Sequence, residues 1–231
     1  MMDAIAHDPQ DIPQQDVPQD VTFDFRDLSA RDRYKLLIGT VVPRPIALVT
    51  TVDPQGRVNA APFSFFNCLS ADPPILALGV ENHPDMRFKD TGLNIRLTEV
   101  FTVNIVSHAI AEAMHVCAVP FPSNHDELRA AGLTAMPGKK VASPWIKQAP
   151  ASFECRRHLT LELGKSRQII LGEILYAHYH SDVIDADRLR IDPAKLDAIA
   201  RLGGNTCSTI RDRFDMPTPT LEEYYAGLPG D

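Results

Sequence analysis

Closely spaced cysteines are the first thing this sequence lacks. Cys68, Cys117, Cys155 and Cys207 lie far apart and form no C-x-x-C pair. That excludes a disulfide scaffold and a cysteine zinc site, and it fits reduced, mostly buried thiols. No H-E-x-x-H occurs; His178-x-His180 would share one face of a strand but has no third ligand at recognisable spacing, so no metal is expected. A G-x-S-x-G elbow, a Walker A loop and a G-x-G-x-x-G fingerprint are all absent. No apolar run reaches the roughly 18 residues of a membrane helix, and the N-terminus has no signal-peptide core, so a cytoplasmic protein without membrane contact is expected. Positive charge is also short: 23 Lys and Arg stand against 30 Asp and Glu, a net charge of −7. That balance argues against nucleic acid and anionic lipid as partners.

The 231 residues suit one barrel domain or two small ones. Residues 1–21, rich in Asp, Gln and Pro, have too few apolar groups to offset ordering entropy and read as a flexible tail. Residues 22–204 read as the folded domain and 205–231 as a Pro-containing C-terminal extension whose Leu221, Tyr224 and Tyr225 can dock on another surface. Strands dominate between the tails. Residues 45–52 are β-rich, and Asp53-Pro54-Gln55-Gly56 has the form of a type I turn that returns the chain through 57–66. Apolar runs follow at 75–80 and 101–106, then a long hairpin pairs 152–163 with 168–180. In its first arm Phe153, Cys155, Leu159, Leu161 and Leu163 alternate with Glu154, Arg156, His158 and Glu162, which predicts one apolar and one polar face.

Helices should be short and peripheral. Asp90 or Thr91 can cap one running through Thr98, and Ser107 another through Val116. Ser123 and Asp126 resemble a capping box closed by Gly132, and Asp192-Pro193 opens a last helix ending before Gly203. Many strands with small helices favour a closed antiparallel barrel, which removes exposed edges.

Residues 59–67, Asn-Ala-Ala-Pro-Phe-Ser-Phe-Phe-Asn, are the densest stretch. Pro62 demotes the strand to an edge or a bulge, and a bulge turns backbone groups toward a ligand. Ser64 and Asn67 add polar groups beside Phe65 and Phe66, a combination that suits an isoalloxazine ring, although the pattern alone favours an ordinary aromatic core strand ending in a polar turn. Arg87-Phe88-Lys89-Asp90-Thr91 places cations before a helix N-terminus with a hydroxyl in its first turn, which can cradle phosphate or simply be a solvated N-cap. Arg44-Pro45 can add a guanidinium to that phosphate, and Thr50 and Thr51 are good strand formers that matter only if the hairpin faces a ligand.

In order and spacing these blocks resemble the flavin reductase-like family with the FMN-binding split barrel. The likeness runs through Arg44-Pro45-Ile46-Ala47, Thr51-Val52-Asp53, Asn59-x-Ala61-Pro62-Phe63-Ser64-Phe65-Phe66-Asn67 and Asp72-Pro73-Pro74. It continues through Lys89-Asp90-Thr91-x-x-Asn94-Ile95, Phe101-x-Val103-Asn104, Ala111-Glu112-Ala113-Met114, Gly172-Glu173 with His178, and Arg201-Leu202-Gly203-Gly204. The resemblance implies a mostly β, six-stranded antiparallel Greek-key split β-barrel that forms a homodimer and holds FMN near the interface. By position Ser64, Phe65, Phe66 and Asn67 would contact the ring and ribityl chain, with Lys89, Asp90, Thr91 and Arg44 at the phosphate. Pro45, Thr50, Thr51, Asn59 and Asn94, in or beside the matching blocks, complete the expected flavin contacts, and His178 corresponds to a histidine beside the nicotinamide or the ring. The implied activity is hydride transfer from NADH or NADPH to FMN, with reduced flavin passed to an oxygenase. The alternatives are an FMN electron carrier without nicotinamide turnover and a split-barrel binding module. Neither tail matches, and Asn205-Thr206-Cys207 stands where some relatives carry aromatics.

Overall fold

Residues Ala47–Val52 are buried along their whole length, so this run of Ala, Leu, Val and Thr needs both of its faces covered. The computed structural model, which describes residues 19–226 except Asn124 and Lys165, shows how. Helix α1 (Ala30–Thr40) leads into strands β1 (Arg44–Pro45), β2 (Ala47–Val52), β3 (Val58–Phe63), β4 (Phe66–Ala71) and β5 (Pro74–Glu81). Helix α2 (Asp90–Thr98), strand β6 (Val100–Ile105) and helices α3 (Ala111–Val116) and α4 (Glu127–Ala130) come next. Strands β7 (Ala135–Met136) and β8 (Trp145–Ile146) precede the long pair β9 (Ala151–Leu163) and β10 (Arg167–Tyr179). The chain closes with β11 (Ile184–Asp185), β12 (Arg190–Ile191), α5 (Pro193–Leu196), β13 (Ile199–Arg201), β14 (Cys207–Thr209) and α6 (Leu221–Ala226). Residues 1–18 of the expected tail lie outside the described residues.

One antiparallel sheet dominates, in the order β3-β2-β6-β9-β10-β5-β4. It has seven strands where six were expected, because Ser64 and Phe65 break the run 57–66 and Phe66 starts a new strand on β5. The two edge strands are therefore neighbours in sequence, and the sheet curls until its edges meet at that corner. There the Gly79 N–H donates to the Phe65 carbonyl at 2.7 Å. A Cβ on Gly79 would stand 2.8 Å from the Phe65 Cβ, so only glycine allows this approach. Pro62, lacking an N–H, sits in β3 at the edge.

Inside the curl, Ala47, Val49, Leu78, Phe101, Val103, Cys155 and Ile170 form one core, and Ile95 of α2 joins it. Outside it, Leu48, Ala60, Val106, Ile110, Met114 and Ile146 form a second, under the short helices and loops. The expected two-faced β9 is corrected by bulges. Between Leu171 and Gly172 the pairing skips His158 of β9, which reverses the faces of β9 beyond it, and between Ile174 and Tyr176 it skips Leu175 of β10. Leu159, Leu161 and Leu163 are consequently exposed, while Glu154 stays on the face opposite Cys155 and is fully buried there under residues 139–141.

The helices depart from expectation at their ends. Helix α1 has a signal in Ser29-Ala30-Arg31-Asp32: the Ser29 hydroxyl accepts from the Asp32 N–H and donates to its carboxylate, which makes Ser29 the N-cap. Asp126, not Ser123, caps α4, because Ser123 turns to donate to the Asp90 carboxylate. Helix α5 stops at Asp197 in a left-handed conformation, so Arg201 belongs to a strand, and Gly203-Gly204 turn the chain from β13 into β14 rather than closing a helix. All four thiols are free, but Cys68 and Cys207 are exposed rather than buried.

Gly172 lies at the first bulge, where a Cβ would come within 2.2 Å of the buried Phe101 ring. Gly172→Ala is expected to destabilise the fold by about 1–3 kcal/mol, read as a lower urea midpoint; an unchanged midpoint would show that Phe101 has room to move.

Candidate functional site

Three adjoining cavities run along β3 and around the Ser64-Phe65 corner. The first, about 280 Å³, lies between residues 59–63, His83, the start of α2 at residues 89–91, residues 117–121 and Glu127. The second, about 210 Å³, shares Pro62, Phe63 and Ala118 with the first and adds Tyr34, Ile38, Arg44, Ser64, His115, Arg201 and Gly204. The third, about 460 Å³, shares Arg44 and Ser64 with the second and is walled largely by apolar side chains, among them Leu37, Val41, Pro45, Phe65, Phe66, Leu163 and Ile169, with Asn67 and Arg167. Together they make a groove that is polar at one end and apolar at the other.

The polar end is built by α2 plugging the mouth of the curled sheet. Asn94 on α2 donates to the Thr51 hydroxyl at 3.0 Å, and Asn59, opposite Thr51 across the hairpin, donates to the Thr91 hydroxyl at 3.0 Å. Both hydroxyls act as acceptors, which leaves the Thr91 proton for an acceptor in the cavity it lines. Lys89, at the N-cap of α2, approaches Glu81 at 3.8 Å and is half exposed. The first N–H groups of α2 have no acceptor within the helix. Glu127, buried at 7 % exposure, accepts from the Ala60 N–H at 3.2 Å and so covers the free edge of β3. Burial holds its carboxyl above the usual range and Asp90 adds to this, against the bonds from its own N–H and the Ala60 N–H and against His125. The Cys117 thiol is pushed up to about 12 by burial, with Glu127 and Asp126 adding to it.

At the corner, Phe65 is held between Tyr34 of α1, stacked at 6.3 Å, and the Arg167 guanidinium, 4.2 Å from its ring centre. Arg44 is separate from Lys89: its guanidinium is buried and donates to the carbonyls of Ile38, Val41 and Leu202, while its Nε has no partner. It ties α1 to the β13–β14 turn instead of joining the cradle at α2. Asn67 is exposed and accepts from the Cys68 N–H.

Two expected contacts lie elsewhere. Thr50 points to the opposite face of β2, where it bonds to the Pro144 and Thr102 carbonyls and accepts from Asn104. His178 was expected close to the pocket. It sits near the far end of β10 from Ile169, nine positions or about 30 Å along the strand. There it bonds to Glu154 at 2.6 Å and stacks on Trp145 at 4.5 Å. Burial alone would raise the Glu154 carboxyl, but the N–H groups of Lys139, Lys140 and Val141 together with His178 hold it below the usual range.

The wall formed by His115, Ala118 and Glu127 carried no usable sequence signal. An acidic residue in the first turn of a capped helix reads as a match to the helix dipole, and nothing in its spacing shows that it turns inward.

Residues 38–192 match the flavin reductase like domain. The chain belongs to the flavin reductase-like family. Nitrilotriacetate monooxygenase component B from Bacillus cereus superposes with a TM-score of 0.83 at 27% identity, covering 87% of this chain and 100% of that one. The 2-nitrobenzoate 2-nitroreductase NbaA of Pseudomonas fluorescens follows at 0.79 and 34%, covering 91% and 99%. A split-barrel-domain protein from Shewanella frigidimarina NCIMB 400 shares the fold at 0.73 and 22%, covering 84% and 96%. The chain is thus an oxidoreductase-family flavoprotein with the split-barrel architecture. No helix is long and apolar enough to cross a membrane among the described residues, which also contain no cluster of three metal-ligating side chains.

Because His178 supports Glu154, His178→Ala is expected to lower stability by about 1.5–3 kcal/mol, the range for a hydrogen bond to a charged group, and to leave flavin affinity unchanged. Denaturation and flavin titration check the two halves, and a large loss of affinity would put His178 back at the groove. Glu154→Gln should narrow the difference from wild type in acid. A carboxylate held low contributes stability that is present above its unfolded value and lost as pH falls through the folded one.

Proposed function

We propose that the chain binds FMN along this groove and accepts hydride onto it from NADH or NADPH, acting as a flavin reductase that supplies reduced flavin to a partner oxygenase. The observation that carries the reading is the polarity of the groove. A cation and the start of a helix stand at one end, a wide apolar cavity at the other, with a narrow passage between them. That order matches a phosphate, a ribityl chain and an aromatic ring. The residues fit the group: the Thr91 hydroxyl and the α2 N–H groups suit phosphate, and Arg44, whose buried Nε has no partner, lines the passage.

Bound FMN supplies the hydride-accepting chemistry, which needs no general acid or base from the protein. The chain binds and orients. Lys89 and Thr91 anchor the phosphate, Asn59 and residues 62–64 guide the ribityl chain, and Phe65 and Phe66 with the Ser64 and Asn67 polar groups shape the ring site. A carrier without nicotinamide turnover is the second reading, supported by the remoteness of His178 from the groove. The Bacillus cereus neighbour, a monooxygenase component, supports an oxygenase as the recipient of electrons. The apolar third cavity and the exposed Leu159, Leu161 and Leu163 support a homodimer that covers them. Light scattering should give a dimer, and a monomer that retains FMN would overturn this part.

Apo-protein should prefer FMN to riboflavin, and Lys89→Ala should weaken FMN about tenfold, the lower end for a half-exposed charge-assisted contact, with riboflavin unaffected. In anaerobic stopped-flow, flavin on the wild type should bleach with NADH or NADPH. Reduction by dithionite but by neither nucleotide would leave the carrier reading.

A further inference from the structure

The groove's polar end holds a group that neither phosphate binding nor the family likeness calls for. Glu127 is buried in the wall of a cavity whose volume, as a sphere, is only about 8 Å across. One carboxyl oxygen accepts from the Ala60 N–H, and the residue's own N–H also reaches the carboxyl. Asp90 faces it from α2, His125 from the preceding loop and Cys117 from the end of α3, with Asp126 beside Cys117, while Lys89 and His83 share the cavity. Asp90 already accepts from Ser123. A phosphate monoester carrying between one and two negative charges would lie within a few ångströms of this carboxyl.

Resting on FMN as the ligand, we infer that Glu127 holds the flavin phosphate as a neutral acid, its carboxyl proton donated to a phosphate oxygen. FMN affinity is then under proton control. Ionised, the same side chain would be a buried like charge beside the phosphate, which opposes binding by about one or more powers of ten. Neutral, it adds a hydrogen-bond donor to the one from Thr91. Burial already favours the acid in the free protein, and the phosphate favours it further, so FMN binding takes up a proton wherever Glu127 is ionised beforehand. The sign is distinctive. The second ionisation of the phosphate, near pH 6, would by itself strengthen binding to Lys89 as pH rises, whereas Glu127 weakens it.

Apo-protein titrated with FMN and with riboflavin between pH 5 and 8, followed by flavin fluorescence, tests the inference. Wild-type FMN affinity should fall about tenfold or more across the range, with riboflavin flat. Glu127→Gln keeps an acceptor for Ala60 and a donor for the phosphate, and it should retain the acid-side FMN affinity throughout. Parallel FMN profiles for wild type and Glu127→Gln would overturn the proposal. So would an equal loss of FMN and riboflavin in that variant, which would make Glu127 a ribityl contact. His83 lines the same cavity, so His83→Asn is run alongside; the fall must persist in it, which keeps the proposal testable even if Glu127→Gln fails to fold. Lys89→Ala is the separate control. If it weakens FMN and riboflavin alike, the phosphate site itself is misplaced, whatever Glu127 does.

Discussion

The rest of the molecule depends on the contact between the Gly79 N–H and the Phe65 carbonyl. Where β3 stops and β4 begins, the chain passes from one edge of the sheet to the other in two residues, and this single bond fixes the passage. Without a side chain at position 79, the backbone of β5 comes close enough to hold the corner. Curling follows from that join, and from the curl come an inner core, an outer core and a mouth for α2 to plug. The groove runs along the same corner, so one constraint sets both the fold and the site.

Polarity along the groove follows from which elements reach each part of it. A helix N-terminus brings unpaired N–H groups and a cation to the first cavity, whereas the third is walled by α1, β4, β5 and the tips of β9 and β10, which offer mainly apolar side chains. The amides of Asn59 and Asn94 lock the two pieces of the polar end together through Thr51 and Thr91. The two amides donate to the two hydroxyls, which lets a buried polar cluster exist at the mouth of an apolar sheet while the Thr91 proton stays available to the cavity. Glu127 is the exception, a carboxyl brought in from the outer helices to cover the edge of β3 and left facing the cavity.

Glu154 and His178 show the same physics put to structural use. The buried carboxylate collects three backbone N–H groups from residues 139–141 and the His178 ring, and so fastens a loop to the inner end of the β9–β10 pair. Thr50, Thr102 and Asn104 do likewise for residues 143–146 on the outer face of the sheet. Residues of types often found at active sites serve here as anchors, which is why residue type and strand position alone assigned His178 and Thr50 to the wrong surroundings.

The sequence by itself determined the β-rich class, the turn at Asp53–Gly56 and its Gly56 N–H to Asp53 carbonyl bond of 2.9 Å, the long final hairpin, and the helix at Asp90. All are short-range: turn chemistry, capping and runs of β-forming residues act within a few positions, so they are written locally. Tertiary structure alone decided the seventh strand, the reversal of faces in β9 and the meeting of Asn59 with Thr91, which are 32 positions apart. Bulges leave no mark in an alternating pattern, because one inserted residue flips every later side chain without changing the pattern itself. Only the packed sheet specifies which face of Glu154 or Leu161 is buried, and only its curl brings Glu127, from beyond β6, to the edge of β3.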